Sequence, residues 1–463
     1  MQSNTLEKQG MTRRKFLWLT SASVAGFAIG CTINPVTGEK QFMIVSEASE
    51  IEIDKQHSPH QFSTDYGVLQ DTALNSYVSG VGKRLVTNTH RPNVPYSFRG
   101  VNATYVNAYA FPGGSIAVTR GILLKLNNEA ELAGLLGHEL GHVNARHTAQ
   151  QMSKGTLVSA IVGLGQAYVS SQHSQYSDLA GQLGSLGAGM LLASYSRDNE
   201  READDLGNQY MVQAGYNPIG FVGLMNMLKN LSDHKSGAVE VLFSTHPMSD
   251  ERYRTALENA QTQYQSAQNF PTNGDRYMDH TAKLRAIKGA IEAMQKGESA
   301  MGQKKYRDAE GLFKTALRQA PRDYAGLLLM AKCQTVQKKY RDGERYATQA
   351  KQVYPREAQA YHLSGYAKIK QKKYDAAYQE FRSYDGLLPG NPNTTFFKGF
   401  CQEGMRRKSE AATEYQKYLQ VVQQGDQAKH AYQRLVEWGY IKQQQQQKQQ
   451  QQQRLIRRLK KEG

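Results

Sequence analysis

Three residues in the stretch 137–143 have the types and spacing of a catalytic metal site. His138 and His142 are four positions apart, so on a helix they share one face with Cβ atoms about 5–6 Å apart. At that separation both imidazoles can reach one metal ion. Glu139 follows the first histidine, where its carboxylate can take a proton from a metal-activated water. The stretch therefore predicts hydrolytic chemistry at a zinc ion.

An acidic segment further along the chain can complete such a site. Glu200 and Asp204 are also four apart on a predicted helix. Glu200 can supply the third protein ligand and leave a fourth position for water, and Asp204 can accept the spare N–H of a ligand histidine. Glu202 faces elsewhere on this helix and is the main competitor for the ligand role. Without the upstream histidines, these acids would only offset the helix dipole.

A histidine and an arginine follow in the segment 243–252. His246 precedes a proline in a predicted loop, and Arg252 begins the next predicted helix. In isolation both residues fit surface positions. Near a metal site they would instead suit stabilisation of the negatively charged oxygen of a tetrahedral transition state.

The elements that position these residues follow from capping and periodicity. Residues 127–131 supply a cap and first-turn acids, and an apolar stripe predicts a helix through leucines 132, 135, 136 and 140. Upstream, helical patterning runs from Ser46 to the Leu85 region. The segment 101–120 predicts two short strands around a Pro112-Gly113-Gly114 turn. An open strand edge there would let an extended peptide add as another strand, and a closed hairpin that only packs is the alternative.

Four separated motifs resemble those of one zinc peptidase family, which includes the CAAX prenyl endopeptidase and the bacterial heat-shock membrane protease. The motifs stand in the family's order and are Asn-Ala-Tyr-Ala-Phe-Pro-Gly-Gly at 107–114, His-Glu-Leu-Gly-His at 138–142, Glu-Arg-Glu-Ala-Asp at 200–204 and Ser-Thr-His-Pro at 244–247. The resemblance covers roughly residues 34–260. It implies an α+β peptidase domain of the gluzincin type.

The same resemblance implies a role for each site residue. One zinc ion would be bound by His138, His142 and Glu200, with Glu139 as the base. Asp204 would accept a hydrogen bond from a ligand histidine. It further implies two residues at the cleft, His246 and Arg252. The histidine could occupy the fourth zinc position in a resting state.

A second pattern begins near residue 285. Lys-Lys-Tyr recurs at 304–306, 338–340 and 372–374, a period of 34 residues. Prolines keep the same period at 321, 355 and 389. This is the signature of tetratricopeptide repeats, with one helix pair per repeat. The predicted repeats, followed by a capping helix to Tyr440, are 290–323, 324–357, 358–391 and 392–425. Stacked pairs would form a concave surface for peptides or protein partners, and a stiff spacer is the alternative.

Composition and the chain ends indicate an exported protein. The formal net charge is +16, but two terminal segments, 1–30 and 441–463, hold much of the excess, so no nucleic-acid partner is expected. Arg13-Arg14 precede an apolar stretch that ends at Cys31, which resembles a twin-arginine or lipoprotein signal peptide. Lipidation at Cys31 would anchor the protein to a membrane, and cleavage nearby with Cys31 as a bystander is the alternative.

Together these features predict a mainly α chain with four parts. They are a signal peptide (1–30), a zinc metallopeptidase domain (31–284), an α-solenoid of about four tetratricopeptide repeats with a capping helix (285–440) and a disordered Gln-rich basic tail (441–463). The segment 155–195, rich in small residues, would form helices at 156–169 and 179–192, either as a packed pair or as a mobile cover over the cleft.

The combination resembles periplasmic proteases that act in outer-membrane protein assembly. It implies a zinc endopeptidase of the periplasm, lipid-anchored and favouring the outer membrane, that degrades misfolded or misassembled proteins. The repeats would bind substrates or the β-barrel assembly machinery. Two alternatives remain, a chaperone or scaffold with little proteolysis and a dedicated processing peptidase.

Overall fold

The computed structural model describes residues 31–153, 194–233 and 237–441. The predicted signal peptide, the predicted helices at 156–169 and 179–192 and the Gln-rich tail lie outside these residues. Within the described part of the chain, no helix combines the length and apolar character needed to cross a bilayer.

The first half of the chain places a three-stranded sheet beside a group of helices. In chain order the elements are β1 (Cys31–Ile33), β2 (Lys40–Phe42), α1 (Glu47–Thr64), α2 (Thr72–Val86), β3 (Ser97–Val101), β4 (Ala108–Ala110), β5 (Ser115–Thr119), α3 (Arg120–Leu123), α4 (Glu129–Asn144), α5 (His147–Ser153), α6 (Arg197–Gln213), α7 (Ile219–Asp233), α8 (Glu240–Thr245), α9 (Asp250–Gln261) and α10 (Gly274–Ala286). Strands β1 and β2 form a separate antiparallel pair.

Strand β4 lies at the edge of the sheet, whose order is β3-β5-β4. It pairs antiparallel with β5, so the predicted hairpin is present, and Gly114 adopts φ +100° in its turn. The N–H of Thr119 donates to the carbonyl of Asn107, and the N–H of Phe111 donates to the carbonyl of Ser115. Because hydrogen-bonding direction alternates along an antiparallel pair, the intervening Ala108 and Ala110 direct their N–H and C=O groups to the other side.

Helix α4, which carries both histidines of the sequence motif, is buried along its whole length. Asn128 caps it as predicted, with its side-chain oxygen accepting from the N–H of Glu131 at 2.8 Å. The first-turn acid Glu129 is fully buried and accepts hydrogen bonds from Tyr77 and Tyr216, each at 2.8 Å. The leucine stripe predicted only one buried face. The other faces are buried because α6 and α7 pack against the small residues between the leucines.

A buried ion cluster fixes the end of α4 to α1. Glu50 accepts from Arg91 at 2.7 Å and from Arg146 at 3.1 Å. Arg91 also donates to the carbonyl of Val143 at 2.7 Å, and its own N–H donates to Asn144 at 2.8 Å. These bonds satisfy groups at the helix C-terminus, where the chain must turn sharply.

The second half of the chain consists of stacked helix pairs. The pairs are α11 (Lys288–Gly302) with α12 (Tyr306–Gln319), α13 (Tyr324–Val336) with α14 (Tyr340–Val353), α15 (Gln359–Lys370) with α16 (Tyr374–Leu387) and α17 (Pro392–Gly404) with α18 (Lys408–Val421), followed by α19 (Asp426–Glu437). The turn inside each pair contains one left-handed residue, at Lys304, Lys338, Lys372 and Arg406. The 34-residue period of the sequence is therefore also the period of the backbone conformation.

The repeats pack directly against the first half of the chain. Arg120, which is 2% exposed, forms a two-pronged ion pair with Asp323 at 2.5 and 3.1 Å. Glu357 accepts from Ser63 of α1 and from Tyr324 of α13. Breaking a buried pair from one side typically costs about 3–5 kcal/mol, so these contacts tie the two halves together.

A buried carboxyl near this contact makes folding depend on pH. Asp65 accepts from Tyr109, from Tyr105 at 2.8 Å and from Gln61 at 3.0 Å. Burial raises its pKa to about 6, against 3.8 for an ordinary aspartate. Between these values the folded chain holds a proton that the unfolded chain has lost. The free energy of unfolding should therefore fall by about 2 kcal/mol from this group as the pH rises from 4 to 6.

Asp65→Asn removes this titration, so its unfolding free energy, measured by urea denaturation, should depend less steeply on pH between 4 and 6 than that of the wild type. Asp198→Asn, at an exposed position, should keep the wild-type slope. A slope unchanged in Asp65→Asn would contradict the assignment.

Candidate metal centre

Four side chains from three segments converge at one buried point. His138, His142, Glu200 and His246 each offer a ligand atom, and these atoms all lie within 4.8 Å of one another. The Nε2 atoms of His138 and His142 are 3.1 Å apart, and Nδ1 of His246 is 3.3 Å from Nε2 of His138. The Glu200 carboxylate is 3.4 Å from His142 and 3.1 Å from His246.

The donor set fits a metal cation. A tetrahedral site with ligand bonds of about 2.0–2.1 Å separates its ligand atoms by about 3.3 Å. The distances between the four side chains fall around that value. Glu200 Oε2 is buried, 2.7 Å from Nη1 of Arg252 and 3.6 Å from Nε2 of His138. Nitrogen and carboxylate lone pairs that face one another in this way are stabilised by a cation between them, and imidazole nitrogen suits first-row transition metals.

Two helices bring the ligands together because their backbones touch. A Cβ atom placed on Gly137 would lie 2.7 Å from the carbonyl oxygen of Gly207, and one on Gly141 would lie 2.8 Å from that of Ala203. Only glycine permits such an approach between α4 and α6. The sequence signal for this crossing is the pair of small residues four apart on each helix.

Glu200 and Asp204 are held by one arginine. Arg252 donates to both oxygens of Asp204 at 2.6 and 2.7 Å, and its Nη1 is 2.7 Å from Glu200. Asp204 in turn lies 2.9 Å from Nδ1 of His138. Burial alone would raise the pKa of Asp204, but Arg252 holds it below the usual range. Nη1 of Arg252 also donates to the carbonyl of Pro247 at 2.9 Å, so its N–H groups face protein acceptors.

The pKa of Glu200 is also lowered. Burial would raise it, but the facing His246 and hydrogen bonds from His142 and His246 bring it well below its usual range. The carboxylate is therefore ionised, as a metal ligand must be.

Glu139 lies beside the ligand cluster without joining it. Its side chain is 3% exposed, and its Oε1 is 3.9 Å from Nε2 of His246. Burial raises the pKa of Glu139, which makes this carboxylate a stronger base than an exposed one.

Two residues that were not predicted from the sequence, His147 and Tyr195, also contact the site, and so does Glu202. His147 lies 2.9 Å from Nδ1 of His142, and Glu202 lies 3.1 Å from the far side of His147. Glu202, the competitor for the third ligand position, is therefore directed to His147 in this structure. The ring of Tyr195 stacks on His142 with centroids 3.8 Å apart. No local sequence motif marks His147 or Tyr195, because their contacts depend on how α4, α5 and α6 pack.

The seven residues predicted from sequence thus lie in one region. Four form the ligand cluster, Glu139 lies at its edge, and Asp204 and Arg252 lie behind it. Arg252 faces carboxylates and a backbone carbonyl, whereas the sequence alone suggested that it would face a reacting oxygen.

Comparison with known proteins finds two families in the chain. The model of peptidase family M48 matches residues 72–260, and a tetratricopeptide repeat model matches residues 300–365. The β-barrel assembly-enhancing protease of Yersinia pestis is 29% identical over 289 residues, covering 57% of this chain and 58% of that protein. The protein of the same name from Escherichia coli K12 is 30% identical over 199 residues, covering 42% and 40%. The chain thus matches about half the length of these relatives.

A shorter relative is matched over most of its length. Metalloprotease YcaL of Escherichia coli K12 is 31% identical over 209 residues, covering 45% of this chain and 78% of that protein. The chain belongs to peptidase family M48, and it carries tetratricopeptide repeats after the peptidase region.

Proposed function

We propose that this protein is a zinc-dependent endopeptidase. The observation that carries the proposal is the buried cluster of three histidines and Glu200, with Glu139 next to it. Peptidase family M48 and the metalloprotease names of the relatives support this chemistry. One zinc ion per chain is proposed, on His138, His142 and Glu200.

Each side chain then has a separate task. Bound zinc supplies a Lewis acid that polarises a peptide carbonyl and makes water nucleophilic at neutral pH. Glu139 accepts a proton from the attacking water and delivers it to the leaving amine. Asp204 accepts the Nδ1–H of His138 and so fixes the tautomer that exposes Nε2. Arg252 positions both carboxylates.

Strand β4 is the proposed docking edge for substrate. It contacts α4, and Ala108 and Ala110 direct their backbone groups away from β5. An extended peptide that paired with these groups would bind through its main chain, independently of most of its sequence. This mode suits a protease that acts on unfolded segments of different proteins.

His246 affects whether the proposed zinc site is open or closed in the resting enzyme. Its Nδ1 lies within the ligand cluster, so we propose that it completes a closed, four-ligand site at rest. Catalytic zinc sites keep one position open, whereas closed sites are typical of structural zinc. His246 must therefore withdraw before cleavage. The closed arrangement is also the observation that favours the alternative function, a scaffold or chaperone for outer-membrane protein assembly with little proteolysis.

The proposed setting is the periplasm, with a lipid anchor at Cys31. The names of the Yersinia and Escherichia relatives connect them with β-barrel assembly, and the repeats offer a protein-binding array. We propose that the substrates are misfolded or misassembled envelope proteins, and that the repeats bind them or the assembly machinery. A denatured outer-membrane protein should then be cut, and the same protein folded as a barrel should resist.

Metal removal tests the enzymatic proposal. The full-length protein should contain one zinc ion by elemental analysis and should cleave casein. Dialysis against a chelator should reduce cleavage to background, and one equivalent of zinc should restore it. Zinc binding without cleavage of casein or of a denatured outer-membrane protein would favour the scaffold, and a protein that binds no zinc would refute the proposal.

A further inference from the structure

We propose that His147 and Glu202 form a hydrogen-bonded chain that fixes His142 in its metal-binding tautomer, an inference that rests on the zinc site proposed above. Nδ1 of His142 and Nδ1 of His147 are 2.9 Å apart, and Nε2 of His147 is 3.1 Å from Oε2 of Glu202. Both histidines are buried, at 1% and 0% exposure, and the Glu202 side chain is 28% exposed. The chain thus runs from the ligand cluster to the surface of α6.

Only one placement of protons along this hydrogen-bonded chain leaves His142 able to bind a metal ion. His142 must keep a lone pair on Nε2, so its proton lies on Nδ1 and is donated to His147. His147 must then accept at Nδ1 and carry its own proton on Nε2. An ionised carboxylate accepts hydrogen bonds and cannot donate them. Glu202 therefore selects the required form of His147, and through it the required form of His142.

The backbone places His147 for this purpose. Helix α4 ends at Asn144, and Arg146 adopts a left-handed conformation with φ 59° before α5 begins. The guanidinium of Arg146 is held by Glu50 at 3.1 Å and by the carbonyl of Val45 at 2.8 Å. This turn reverses the backbone direction, so that His147 faces His142, five positions earlier.

Packing alone would not select the tautomer. Tyr195 stacks on the ring of His142 at 22° and donates or accepts a hydrogen bond with Thr148 at 3.0 Å. A stacked ring remains in place whichever nitrogen carries the proton. The two ligand histidines therefore differ: His138 reaches its carboxylate, Asp204, directly at 2.9 Å, and His142 reaches Glu202 through a second imidazole.

The test is zinc affinity, measured by competition with a chromogenic zinc chelator on the full-length protein. Glu202→Leu removes the acceptor and should weaken zinc binding about 10–100-fold. Glu202→Gln keeps an acceptor oxygen and should recover part of that loss. Asp205→Asn removes one negative charge from an exposed position on the same helix and should bind zinc within about twofold of the wild type.

The unfolding midpoint of the zinc-free protein separates this role from a structural one. Weaker zinc binding, with an unchanged unfolding midpoint of the zinc-free protein, supports the hydrogen-bonded chain through His147 to Glu202. A midpoint lowered in Glu202→Leu, with zinc affinity unchanged after correction for folding, would overturn it. Tight zinc binding by both wild type and Glu202→Leu would also overturn the proposed role of the hydrogen-bonded chain, and it would leave the proposed peptidase activity intact. Absence of zinc from the wild type would overturn both.

Discussion

Glu139→Gln should lower the rate of casein cleavage by about 10²–10⁴-fold, the usual contribution of a positioned general base. The substitution keeps the shape of the side chain and removes its ability to take a proton. Glu139 lies outside the ligand cluster, so the variant should keep the zinc content of the wild type. The measurement pairs initial rates of cleavage with elemental analysis of the same samples.

A matched control for this variant is Glu240→Gln, at an exposed position in the first turn of α8. It should cleave at the wild-type rate. If Glu139→Gln also cleaved at that rate, the assignment of the base would be wrong. If it lost both zinc and cleavage, Glu139 would be supporting the metal site and not the chemical step.

Arg252→Leu should lower the free energy of unfolding of the zinc-free protein by about 3–5 kcal/mol. The substitution leaves Asp204 and Glu200 buried without the cation that now lies within 2.7 Å of both. Added zinc should recover part of the loss, because it neutralises Glu200 from the other side. Urea denaturation with and without zinc provides the measurement.

The same variant distinguishes two roles for this arginine. If Arg252 stabilised a reacting oxygen, as the sequence alone suggested, the variant would lose kcat while keeping its stability and zinc affinity. If it positions the two carboxylates, stability and zinc affinity should fall together. Arg254→Leu, two residues on and exposed on the same helix, should change neither.

Much of the site could be predicted because its residues obey local rules. The spacing of four places His138 and His142 on one helix face whatever the rest of the fold does, and Asn128 caps that helix through its immediate neighbours. The repeats are predictable for a similar reason. A glycine of one helix faces an aromatic ring of the next in three of the pairs, as Gly365 faces Phe381. In the second pair, two alanines, 331 and 347, stand at these positions.

The parts of the site that the sequence did not predict depend on contacts between distant segments. Arg252 and Asp204 are 48 residues apart, and nothing near either residue shows that they form an ion pair. His147 follows a left-handed arginine, a conformation that sequence patterns rarely reveal, since non-glycine residues seldom adopt it. The pattern of α4 was also incomplete. Its leucines indicated one buried face, and in the structure its glycines are where another helix crosses.

That crossing affects how the site can be transferred or redesigned. The spacing between the ligands of α4 and α6 is set by backbone atoms in contact at Gly137 and Gly141, not by interchangeable side chains. Grafting the three ligands and Glu139 onto two helices of another protein would therefore fail at ordinary helix separations of about 8–10 Å. A transplanted centre would need glycines at the helix crossing, because the ligands reach one metal ion only when the two helices approach this closely.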